Sequence, residues 1–182
     1  MYGMIHKAVR DMVEAQFGEE AWQKIAEDAG VSDEHLLSMN TYEDQVVYDM
    51  IGSATKMLGL TPVQVLEGFG NYFVTETLQN NYKSILQTYG KTSFELLENL
   101  NALHTSIKAT FTGYKPPSFT VTHISPDEID LVYESKRAGL TPFVRGLVAG
   151  AAAFYNESVS ITEEHAIDFP DGESTRFRLV RE

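Results

Sequence analysis

The sequence predicts an α+β fold: a helical N-terminal part followed by an antiparallel sheet with one or two packed helices. Three observations carry this expectation. Apolar side chains recur at helical spacing through the first two thirds of the chain. From Ser118 the period changes to two. A length of 182 residues suits one core, and no repeat, low-complexity stretch or linker divides it, so a single domain over residues 1–182 is expected.

Each element follows from local signals. Met4, Ile5, Val9, Met12 and Val13 share one face of a helix over 4–16, and Ala21 to Ala29 forms a second that ends at Gly30. From Tyr42 to Leu58 the apolar positions are Val46, Val47, Met50, Ile51, Ala54 and Leu58, with Gly59 as the stop. Thr61-Pro62-Val63-Gln64 has the form of a capped start, with proline in the first turn, for a helix running to about Leu78. Thr92-Ser93-Phe94-Glu95 repeats the signal and opens one long helix with the stripe Phe94, Leu97, Leu100, His104, Ile107, Phe111. Gly113 and Pro116-Pro117 end it. Phe119 to Ile124, a turn at Ser125-Pro126-Asp127, and Ile129 to Tyr133 read as a hairpin. Thr141-Pro142 reads as a further capped start, for a helix from Phe143 to Tyr155. Ser158 to Thr162 and a hairpin around Pro170-Asp171-Gly172, with Phe177 and Leu179 alternating against Arg176 and Arg178, complete the sheet.

Composition excludes several classes. With no cysteine there is no disulfide, thiolate haem ligand, cysteine nucleophile or Cys-based zinc or iron–sulfur site. A net charge of −12 opposes phosphate backbones, so nucleic acid is not expected as a partner. No apolar run approaches the roughly 18 residues a bilayer span needs, and the charged N-terminus is not a signal peptide. No membrane association and a cytoplasmic location are the expectations. No Ser/His/Asp order, phosphate-binding glycine loop or paired carboxylates suggest an enzyme.

Two constellations carry chemistry. On a strand, Tyr133, Ser135 and Arg137 share a face and offer two hydroxyls and a guanidinium fork, a receptor for carboxylates. The same pattern also suits a solvated edge strand whose arginine pairs with a glutamate. His104 is either a core histidine bonded to a backbone carbonyl or a neutral imidazole ligand to iron, walled by Leu100, Leu103, Ile107 and Phe111. An axial nitrogen and anchors for two propionates are complementary. His6, His35, His123 and His165 lack a ligand spacing and read as surface or structural residues.

Met1-Tyr2-Gly3, Asn99-Leu100-Asn101-Ala102-Leu103-His104, Pro117-Ser118-Phe119, Tyr133-x-Ser135-x-Arg137, Gly139-Leu140 and Gly146-Leu147 together resemble, in order and spacing, the H-NOX family of haem nitric oxide/oxygen binding domains. The resemblance covers essentially the whole chain. It implies haem b between the helical part and the sheet part, with His104 as iron ligand, Tyr133, Ser135 and Arg137 as the propionate clamp, and Pro117 as the proline that presses on the macrocycle. It implies Ile5, Val9, Phe73, Phe143 and Leu147 as distal residues, with phenylalanine at position 143 where oxygen-binding members carry tyrosine. Tyr72 and Thr77 are hydroxyls close to these positions in sequence. The expected function is therefore a haem-based sensor of NO and CO that excludes O2. NO is expected to weaken or break the iron–His104 bond and let the haem relax. With no further domain after Glu182, output is expected to reach a separate protein such as a histidine kinase or diguanylate cyclase. The alternative is a non-haem binding module in which the same trio holds an organic acid or lipid carboxylate.

Overall fold

The computed structural model describes residues 1–111 and 113–182, and the chain forms two compact units, Met1–Phe69 and Gly70–Glu182. The first unit is helical. It contains α1 (Gly3–Phe17), α2 (Glu19–Ala29), a 3-10 turn (Asp33–Leu36), α3 (Asp44–Leu58) and most of α4 (Pro62–Tyr72). Val9, Val13, Ile25, Met50 and Ala54 are fully buried, so the apolar stripes read from the sequence do face a core. Gly30 and Gly59 adopt left-handed conformations that close α2 and α3. The Thr61 box forms as expected: Gln64 N–H donates to Thr61 Oγ1 at 3.2 Å, and Thr61 N–H to Gln64 Oε1 at 2.9 Å.

In the second unit the helix after Thr61 does not stop near Leu78. α4 passes into a π-helical turn, Phe73–Leu78, and then into α5 (Gln79–Tyr89). The wide turn keeps the backbone bonded, Gln79 N–H reaching Val74 O, and the chain leaves helical geometry only at a kink inside α5, at Tyr82 (φ −136°, ψ 19°). Gly70 lies against α8 (Thr141–Phe154), where a Cβ would fall 2.2 Å from Phe143 O. Only glycine fits that crossing.

The long helix expected from Ser93 is two helices, α6 (Ser93–Glu98) and α7 (Leu100–Thr110). Asn99 leaves helical geometry at φ −93°, ψ 5°, and its Nδ2 donates to Glu95 O at 2.9 Å, an alternative partner for backbone that a continuous helix would use. Thr141 is also not a cap. It is the first residue of α8, and Glu173 accepts its N–H at 2.7 Å, its hydroxyl, and the Gly139 N–H.

β1 (Ser118–Ser125), β2 (Glu128–Ser135), β3 (Val159–Ile167) and β4 (Glu173–Arg181) form one antiparallel sheet in the order β1-β2-β4-β3. β3 extends well past Thr162, the end expected from the sequence, to Ile167. Strict alternation along β2 buries Ile129, Leu131, Tyr133 and Ser135. Phe119, Phe177 and Leu179 join them, and α6 (Phe94, Leu97) and α8 (Val144, Val148) cover that face. The other face is polar. Arg178 there forms ion pairs with Asp130 and Glu128, and this guanidinium holds the Asp130 carboxyl below the usual carboxylate range. The α+β expectation therefore stands, a helical part followed by an antiparallel sheet with packed helices.

Candidate functional site

His104 lies in the middle of α7, half-buried, on the side that faces β1 and the segment leading into it. Its ring meets Phe119 at a centroid distance of 5.9 Å and Tyr114 edge-on at 5.8 Å. Phe119 in turn stacks obliquely on Tyr133 at 5.6 Å. His104, Phe119 and Tyr133 thus form a continuous run of rings. Burial lowers the His104 pKa below the ordinary histidine value, and the Pro117 backbone offsets part of that effect. Nδ1 of His104 is buried and makes no hydrogen bond of ordinary geometry among the described residues, the Pro117 backbone being the polar group that acts on the ring.

A side-chain amide fixes the register between α7 and β1. Asn101 Nδ2 donates to Phe119 O at 2.6 Å, and Asn101 Oδ1 accepts from Phe119 N–H at 3.0 Å. The amide acts as a one-residue mock strand on the outer edge of β1. One helical turn before His104, it ties the imidazole to the ring it touches. Sequence alone assigns Asn101 no role, because a partner 18 positions away leaves no local trace.

Of the expected carboxylate receptor, Tyr133 and Ser135 share the buried face of β2. β2 is a central strand between β1 and β4, which removes the solvated edge-strand reading. Arg137 lies beyond the last strand residue, after a bend at Lys136, so strand periodicity does not place it. Instead its N–H donates to Ser135 Oγ at 3.0 Å, and its guanidinium donates to Lys115 O at 2.8 Å. Tyr114 joins this neighbourhood unannounced by the sequence. Burial pushes its phenol up to about 12, and nearby Arg137 partly opposes the shift. The phenol therefore stays a hydrogen-bond donor at neutral pH.

The arrangement fits an iron macrocycle. It offers a neutral imidazole, hydroxyls and a guanidinium within one neighbourhood, and no described group of three His, Cys, Asp or Glu gathers to hold a bare metal ion. Residues 2–163 match the family described as Haem-NO-binding. The chain belongs to that family. As an H-NOX chain it is a haem-binding domain of a gas-sensing type.

Its relatives lie in longer proteins. The soluble guanylate cyclase gcy-31 of Caenorhabditis elegans is 26% identical over 148 residues, covering 81% of this chain but 21% of that protein. The chain thus spans about a fifth of the cyclase's length. An H-NOX protein mutant from K. algicida, solved as Fe(II) unliganded, shares the fold at TM-score 0.84 and 22% identity, covering all of this chain and 97% of that one. An oxygen-binding H-NOX domain related to soluble guanylate cyclases does so at TM-score 0.86 and 17% identity, covering all of this chain and 95% of that one.

The remaining H-NOX positions fall as follows. Leu100 is half-buried against two core clusters, and Leu103 packs into the one formed by Leu86, Leu96 and Ala151. Phe73 on the π turn meets Phe143 of α8 at 6.3 Å, and Leu147 lies one turn further along α8, its backbone against Gly70. Ile5 and Val9 are on α1 of the first unit, half-buried and fully buried respectively. His6 is fully buried, with Nδ1 against His35 O at 2.9 Å, whereas His123 and His165 are exposed.

Proposed function

We propose that residues 1–182 act as one domain that binds haem b through His104 and reports NO and CO while excluding O2. The observation that carries this reading is the buried imidazole on α7, held neutral by burial, with Phe119 and the Pro117 backbone beside it. Neutral imidazole is the form that ligates iron. When bound, haem would supply a ferrous iron able to take a diatomic gas. Around it the chain's own residues orient and select. Tyr133 and Ser135 donate hydroxyl hydrogens to the propionates, and Arg137 provides the charged fork. Pro117 would lie against the bound macrocycle, and Leu100 and Leu103 would keep water from the His104 side. Phe73, Phe143 and Leu147 offer only hydrocarbon to the incoming gas. Dioxygen is polarised on binding and gains from a hydrogen-bond donor, which Phe143 does not provide, whereas NO and CO need none. The signal passes in the cytoplasm to a separate protein such as a histidine kinase or diguanylate cyclase.

Absorption spectra of the reduced holoprotein under argon, CO, NO and air test the reading. A Soret band that shifts with CO and NO, and no stable oxy spectrum in air, is expected. His104→Gly should abolish haem retention, and added imidazole should restore it. Protein that stays colourless after haem is supplied would overturn the reading and leave the carboxylate receptor of Tyr133, Ser135 and Arg137.

A further inference from the structure

α6 begins with the Thr92 cap expected from its sequence and with a second one supplied from far along the chain. Thr92 Oγ1 accepts only the Glu95 N–H, at 3.2 Å. The first N–H of the helix, on Ser93, donates instead to Glu157 Oε2 at 2.9 Å, and the Ser93 hydroxyl donates to the same oxygen. Glu157 follows the end of α8, aimed by Asn156 in a left-handed conformation at φ 56°. Its side chain is only 16% exposed, and its other oxygen faces Arg181 at 3.5 Å. Arg181 is itself held by Asp127 at 2.8 Å and lies 5.2 Å over the Phe94 ring, on the same turn of α6. Tyr155 adds a second fastening, its hydroxyl donating to Gly90 O at 2.8 Å just before α6. The end of α8 therefore clamps the start of α6.

A carboxylate at a helix N-terminus binds more strongly than a neutral cap, because its charge strengthens the bonds it accepts, here from the Ser93 N–H and hydroxyl, and meets the positive end of the helix dipole. What α6 carries is α7. The two are joined at Asn99 without an intervening loop, so the position of α6 fixes where α7 presents His104. We propose that Glu157 is a positioning residue for His104, setting the strength of the bond between that imidazole and the haem iron. This rests on the reading of His104 as the iron ligand.

The test uses the ferrous, ligand-free holoprotein and reads the iron–imidazole stretch by resonance Raman spectroscopy. Glu157→Ala is expected to shift and broaden the band, and Glu157→Gln, which keeps an acceptor for Ser93, to shift it less. Asp130→Asn, which weakens an ion pair on the far face of the sheet, should leave it in place. The decisive arm unties the ligand. In His104→Gly protein reconstituted with imidazole, adding Glu157→Ala should no longer move the band, because free imidazole does not report the position of α7. A band unchanged by Glu157→Ala in the tethered protein overturns the proposal, and so does a shift that persists with free imidazole. Absence of any iron–imidazole band in the unsubstituted protein instead overturns the ligand assignment. Should Glu157→Ala not fold, Ser93→Ala and Glu157→Gln carry the same comparison.

Discussion

Asn101 shows how one amide sets a site. Its two hydrogen bonds to Phe119 hold α7 against β1, and the Phe119 ring meets the imidazole at a tilt, 5.9 Å between centroids. Asn101→Ala is expected to cost about 1–2 kcal/mol, since exposed side-chain bonds each contribute roughly 1 kcal/mol, read as a lower urea midpoint at unchanged slope. Haem dissociation should quicken more than that loss alone accounts for, because the ring beside His104 loses its register. At this scale His104 itself was legible, as a histidine in an apolar helical slot, and so was the Thr61–Gln64 box, whose partners are three residues apart. Asn101, Tyr114 and Glu157 were not. Their partners lie elsewhere in the chain, and sequence periodicity reports only which face a residue occupies.

At the scale of elements, two acidic side chains from distant positions cap helices: Glu157 for α6 and Glu173 for α8. The sequence suggested Thr141 for the second of these, and the carboxylate 32 residues further on wins because it meets three donors at once. The β3–β4 hairpin brings Glu173 there, and its turn is tight. A Cβ on Gly172 would fall 2.0 Å from Ser135 O and 2.7 Å from the Lys136 Cα. Gly172→Ala is expected to cost roughly 1–3 kcal/mol through overpacking. Because the displaced backbone joins Ser135 to Arg137, haem affinity should fall as well. Haem titration beside a denaturation curve measures both, and unchanged affinity with lost stability would separate the turn from the propionate clamp. The α6–α7 break and the π turn escaped the sequence reading because a stripe of apolar residues continues through either with little loss of phase.

Across the whole molecule, stability should depend on pH through groups buried neutral. Burial lowers the pKa of His6, the largest effect, against the opposing bond to His35 O. The unfolded chain therefore binds a proton near pH 6.5 that the folded chain accepts only at lower pH, so stability falls as pH drops below that value. His104 acts in the same direction in haem-free protein. Urea midpoints of haem-free protein at pH 8, 6.5 and 5.5 should decline in that order. His6→Asn, which keeps a donor toward His35 O, should flatten the decline, and an unaltered slope would remove His6 as its source. The α+β order of elements was legible because hydrophobic period alone separates helix from strand, whereas the division at Phe69 runs through α4 and leaves no compositional mark. The π turn at Phe73–Leu78 has an effect out of proportion to its size. It houses one residue more than a regular turn requires, so a single-codon deletion there would leave α4 and α5 in phase while swinging adjacent side chains by about 100°. Lineages could in this way remodel the wall around Phe73 and Phe143 by gaining or losing one residue, without disturbing the helices on either side.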